Sequence, residues 1–112
     1  MKLPIIYNTS GYENVTELKL LEGIVDVYLP DFKYMDSTLS ARYSRAKDYP
    51  SVAKQALSEM VRQQPDVVID DATGFIQKGV IVRQLLLPGH VNDAKAVLKY
   101  LYDTYHDHVY IA

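Results

Sequence analysis

The stretch VYLPDFKYMD, residues 27–36, decides how the chain is read. The run that leads into it, Ile24-Val25-Asp26-Val27-Tyr28-Leu29, has the apolar, β-branched and aromatic content of a buried strand. It ends at Pro30 and then places an acid, Asp31, and a base, Lys33, two residues apart. Side chains alternate along a strand, so Val25, Val27, Leu29, Asp31 and Lys33 share one face if the extension persists through Pro30. Three apolar residues are then followed by two charged ones, at the carboxyl end of a strand. In a parallel sheet flanked by helices, ligands gather beyond those ends. The alternative is that Asp31 and Lys33 pair with each other at the surface, for about 0–1 kcal/mol.

Outward from that stretch a strand-loop-helix unit repeats. Pro4-Ile5-Ile6-Tyr7 is a short strand that stops at the turn-formers Asn8-Thr9-Ser10-Gly11. Asn14 with Glu17 opens a helix carrying Leu18 and Leu21 and ending at Gly23. Ile24 to Leu29 is the second strand, Asp31 to Asp36 its loop, and Ser37 to about Ser44 a short helix. Asp48-Tyr49-Pro50 opens a stronger helix, with Val52, Ala53, Ala56, Leu57, Met60 and Val61 at helical spacing and Pro65 ending it. Val67-Val68-Ile69 and Phe75-Ile76-Gln77 around Asp70 to Gly74 predict a small β-hairpin inserted beside the main alternation. A strand from Gly79 through Leu87 then stops at Pro88-Gly89-His90. Ala94, Val97, Leu98, Leu101 and Tyr102 mark a helix capped by Asn92, and His108 to Ile111 is a last strand. Alternating strands and helices predict an α/β domain with a mainly parallel sheet.

Composition narrows the function. The 112 residues suit one domain, and 12 Lys and Arg against 14 Asp and Glu give a net charge of -2 with no basic face for nucleic acid. No apolar run has the roughly 18–20 residues that span a bilayer, and Met1-Lys2-Leu3-Pro4 does not open a secretory leader. With no cysteine there are no disulfides, no thiolate nucleophile and no sulfur-ligated metal, and a cytoplasmic setting is expected. Ten tyrosines against two phenylalanines point to core rims with wet hydroxyls. Signatures of dinucleotide binding, P-loops, serine-hydrolase elbows and zincins are absent.

Other residues invite chemistry. Asn8 and Ser10 lie past a strand end, where they either face the same mouth as Asp31 or serve as plain turn residues. Arg83, inside a run of Val, Ile and Leu, must either pair with an anion or leave the core, and a buried partner or ligand carboxylate is the favoured reading. His106 and His108, with Asp103 and Asp107, make a solvated strand entry rather than a metal site, because spacing fixes no third ligand. His90 either lines the mouth or starts the next helix.

Three segments carry a resemblance: IYNTSGY (6–12), IVDVYLPDFKYMD (24–36) and VIVRQLLLPG (80–89). In order and spacing they resemble successive strand ends of radical S-adenosylmethionine (radical SAM) proteins, specifically relatives of the pyruvate formate-lyase activating enzyme. The helix with Ser58-Glu59-Met60 and the insertion around Asp70 to Lys78 are similar to a less characterised branch of that family. The resemblance implies a partial (β/α) barrel whose mouth holds S-adenosylmethionine and a 4Fe-4S iron-sulfur cluster. It implies an oxidoreductase chemistry in which a 5′-deoxyadenosyl radical takes a hydrogen atom from a glycyl-radical enzyme or other protein substrate. Residue by residue, Asp31 and Lys33 resemble the acid and base that hold the cofactor, Asn8 falls where relatives place another polar contact, and Arg83 resembles the arginine at its polar end; Ser10, in the same loop as Asn8, is taken as a further cofactor contact. The family's CxxxCxxC cluster loop has no counterpart in a chain without cysteine. Residues 1–112 are therefore expected to be a barrel fragment, the carboxyl-terminal half, unable to ligate the cluster and inactive alone. A half-barrel interaction or scaffold module is the alternative, and a barrel enzyme acting on a phosphorylated or carboxylated metabolite is a third reading. Open sheet edges predict a homo-oligomer.

Overall fold

The computed structural model describes residues 3–84 and 89–112. Strand β1 is Ile6–Thr9, helix α1 Val15–Leu20, β2 Val27–Pro30, α2 Ser37–Ser44 and α3 Tyr49–Gln63. Then come β3 (Val68–Ile69), β4 (Ile76–Val82), α4 (Val91–Tyr105), a 3-10 turn (His106–His108) and β5 (Tyr110–Ile111). The fold is mixed α/β with a mostly parallel sheet. Among the described residues β1, β2, β4 and β5 run parallel, each beside the next in chain order, and only β3 is antiparallel, against β4.

Local chemistry explains most boundaries. Asn14 caps α1, its Oδ1 accepting from Thr16 N at 2.7 Å and Glu17 N at 3.4 Å. Asp36 caps α2 through Thr38 N, and Pro50 sits in the first turn of α3. The helices and one sheet face enclose a single core. Tyr28, Phe32, Val80 and Val82 from the sheet side meet Leu18, Leu57, Met60, Val97 and Leu101, all essentially inaccessible. The register Ile6–Val27, Asn8–Leu29, Val27–Gly79 and Asp31–Arg83 puts Ile6, Asn8, Val27, Leu29, Asp31, Ile81 and Arg83 on the opposite face. Val27 is buried there, while Ile6 is 54% exposed and Leu29 and Ile81 are partly so.

Several sequence expectations change. The hairpin's second arm and the following strand are one strand, because β4 runs without a break from Ile76 to Val82. Its first half pairs with β3 and its second with β5, so the hairpin is an extension of the main sheet. Gly79 makes that continuity possible: it has φ of +127°, and a Cβ there would come within 2.9 Å of Val67 Cα. Helix α1 ends at Leu20, three residues before Gly23. Helix α4 starts at Val91 with His90 in the cap position, so Asn92 is not its cap, and Leu98 and Tyr102 lie on its exposed side. His108 belongs to the 3-10 turn rather than the last strand. The expected continuation of the strand from Gly79 over residues 85–87, its stop at Pro88, and the reading of Met1 and Lys2 fall outside the described residues.

Candidate functional site

Asn8, Asp31 and Arg83 converge at the carboxyl ends of three neighbouring parallel strands. Arg83 Nε donates to Asp31 Oδ1 at 2.7 Å, and Arg83 Nη2 donates to Asn8 Oδ1 at 3.2 Å. The same residues close the sheet's pairing, since Arg83 N donates to Pro30 O at 2.9 Å and Phe32 N to Arg83 O at 3.0 Å. Asp31 therefore pairs with Arg83 and not with Lys33. Arg83 does both things its sequence setting allowed, pairing with an anion and leaving the core for the rim: its side chain is 44% exposed and that of Asp31 14%.

Alternation does persist past Pro30. Phe32 and Tyr34 are buried in the core, while Asp31 and Lys33 between them are partly exposed. Val25 does not join that face; it packs into the helix-side core from the turn after α1. Among the described residues the Lys33 ammonium makes no ion pair.

The segment carrying Asp31 and Lys33 is held by its own backbone. Lys33 N donates to the Tyr49 hydroxyl at 3.0 Å, and Met35 N and Asp36 N donate to the Asp93 carboxylate at 3.2 and 2.9 Å. The Tyr49 hydroxyl in turn shares its one proton between Ser10 O (2.8 Å) and Asp31 O (3.0 Å). Burial pushes its phenol well above the ordinary tyrosine range, more than the Lys33 amide lowers it, with the Asp31 charge adding to the rise. Gly11 completes the seam: at φ +87° its α-carbon lies so close to the Asp31 carbonyl that any Cβ would overlap it. Neither Tyr49 nor Asp93 stood out in the sequence. Tyr49 reads as an apolar helix-opening residue, and no local pattern announces that its hydroxyl reaches back 16 and 39 residues.

The remaining candidates lie apart from the Asp31–Arg83 pair. The Ser10 hydroxyl accepts from Tyr12 N at 3.4 Å in a local turn, so it is Ser10's carbonyl that joins the seam. His90 meets the Tyr43 hydroxyl at 3.3 Å where α4 begins. His108 Nδ1 lies 2.6 Å from Pro65 O, and His106 packs against Tyr102. Among the described residues no three His, Asp or Glu side chains are grouped as metal ligands, and no helix is long and apolar enough to cross a membrane.

Comparison with known proteins gives one relative. The uncharacterized protein MJ0674 of Methanocaldococcus jannaschii is 31% identical over 90 residues, which make up 80% of this chain and 22% of the relative. The chain thus spans about a fifth of the length of the curated protein it matches. No family model matches, and no solved structure does.

Proposed function

We propose that this chain provides the S-adenosylmethionine contacts of a radical SAM protein of the glycyl-radical-activating type, within a partial (β/α) barrel. One observation carries the proposal: Asp31, Arg83 and Asn8 meet at the carboxyl ends of three adjacent parallel strands, with Lys33 two residues on. The sequential strand order, without reversal, is compatible with that barrel.

The residues fit the polar part of the cofactor. A ribose and a zwitterionic methionine offer hydroxyls, an ammonium and a carboxylate, so the rim needs both an acceptor and cations. Asp31 supplies the acceptor, Lys33 a cation without an ion-pair partner among the described residues, and Arg83 a guanidinium already oriented by Asp31 and Asn8. The residues do not fit the cluster, because the chain has no cysteine to ligate iron. Held at this rim, such a cofactor would supply a carbon-centred radical once one electron reached it from a cluster bound elsewhere in such a protein. The role of this chain is to orient and hold it.

Calorimetric titration of the chain with S-adenosylmethionine tests the proposal. Binding is expected, weakened about tenfold or more in Asp31→Ala and in Lys33→Ala. A folded wild-type chain that binds none overturns it. Iron, sulfide and S-adenosylmethionine added to this chain are expected to give no 5′-deoxyadenosine.

A second reading, a protein-interaction module, is favoured by a different surface. Leu3 and Phe75, 76% and 72% exposed, border a groove of about 490 Å³ with Pro4, Ile6 and Ile76. Strand β1 has a sheet neighbour on one side only among the described residues. We propose self-association through that edge, and sedimentation as a stable monomer counts against it.

A further inference from the structure

We infer that Tyr49 is the positioning residue of the ligand rim: its hydroxyl fastens the loop after β1 to the loop after β2 and so sets where Asp31 and Lys33 stand. The inference rests on the cofactor reading above for its ligand, and on contacts alone for its geometry.

One buried hydroxyl serves both loops. It accepts from Lys33 N and shares its one proton between Ser10 O and Asp31 O, at 2.8 to 3.0 Å. Tyr49 is 2% exposed, so water does not replace these bonds when one is lost. Its ring is fixed independently of the hydroxyl, stacked on Tyr12 at 6.1 Å and edge-on to Phe32 and Tyr34 at 6.4 and 5.5 Å. A Cβ at Gly11 would overlap the Asp31 carbonyl and fall 3.1 Å from the same hydroxyl, so glycine is what lets the two loops close on it. Burial keeps the phenol protonated, so the donor persists at any working pH. Removing the hydroxyl leaves the packing but frees the Lys33 amide and two carbonyls.

The test is Tyr49→Phe in the full chain, beside Tyr28→Phe as control. Tyr28 is equally buried, and its hydroxyl bonds Gln63 away from the rim. Tyr49→Phe is expected to speed amide exchange at Lys33 about tenfold and to weaken S-adenosylmethionine binding by a similar factor, with Tyr28→Phe changing neither. Wild-type protection and affinity in Tyr49→Phe, or equal losses in Tyr28→Phe, overturn the inference. If the wild-type chain binds no S-adenosylmethionine, the cofactor reading fails and exchange at Lys33 alone decides the role of Tyr49. Should Tyr49→Phe not fold, the wild-type protein decides. A slowly exchanging Tyr49 hydroxyl proton with a nuclear Overhauser contact to the Lys33 N–H supports the inference, and its absence overturns it.

Discussion

Arg83 and Asp31 are joined twice. Their side chains form an ion pair at 2.7 Å, and their backbones form the parallel bridge that ends the β2–β4 pairing. The ion pair thus sits on an element that the sheet already holds in register, and it costs little further ordering to form. Asn8 extends it to a third strand.

The first prediction concerns the strength of that pair. Asp31 is mostly covered but Arg83 is nearly half exposed, so water screens their attraction. A double-mutant cycle with Asp31→Asn and Arg83→Gln, read by urea unfolding, should give a coupling of about 1 kcal/mol. A coupling indistinguishable from zero means that the pair adds nothing to stability in solution.

Much of this was legible locally. Asn14 and Pro50 act within three residues of themselves, and the amino-terminal ends of α1 and α3 they announce are where the structure has them; α2 likewise spans Ser37–Ser44, though its cap, Asp36, read only as a loop residue. The alternation that makes Asp31 and Lys33 neighbours on one side could be read for the same reason. The partner of Asp31 could not. Lys33 is two residues away and Arg83 is 52, and only strand register, a property of the assembled sheet, selects the second. Tyr49 was hidden by the same limit, since its bonding reaches both preceding loops. The unbroken β4 was missed because Gly79 reads as punctuation, whereas here it is the place where another backbone passes close by.

That close approach gives the second prediction. Gly79 and Gly74 both have positive φ, +127° and +74°, but only Gly79 is crowded, with Val67 Cα at 2.9 Å and Asp66 O at 3.2 Å from a hypothetical Cβ. Gly74→Ala meets open space and should cost about 1 kcal/mol of backbone strain. Gly79→Ala must also displace the residue 67 backbone and should cost about 3 kcal/mol or more, with loss of β3 protection in amide exchange. Equal thermal midpoints for the two variants contradict the packing described here.

The third prediction is an acid limb assigned to one carboxylate. Glu59 is buried between α1 and α3, accepting from Arg62 Nε and Nη2 at 2.8 Å each and from Gln63 Nε2 at 2.6 Å. The Arg62 guanidinium holds its carboxyl down to about 2, against 4.5 when unperturbed. A depressed folded-state value means stability that is fully present above 4.5 and lost as pH falls toward 2. Glu59→Gln should therefore be less stable than wild type at neutral pH, and the two should converge as pH approaches 2. Parallel stability curves from pH 7 to 2 would assign the acid limb elsewhere.

The last prediction lies at the other end of the pH scale. Burial pushes the Tyr28 phenol up to about 12, reinforced by the nearby Glu59 charge, and burial pushes Tyr49 and Tyr105 higher still. For a group whose folded value is raised, the contribution to stability is complete below the unfolded value of 10 and is lost as pH climbs through the folded one. Absorbance near 295 nm should thus rise in two waves. These three phenols form the later wave, ionising only as the fold gives way. Tyr28→Phe should remove one phenol from the second wave and make the loss of stability between pH 10 and 12 less steep. If all the phenols ionise together near 10 while far-ultraviolet circular dichroism still reports a folded chain, these hydroxyls are not sealed in the core. The seam that Tyr49 makes between the two strand-end loops then has no dry environment to sustain it.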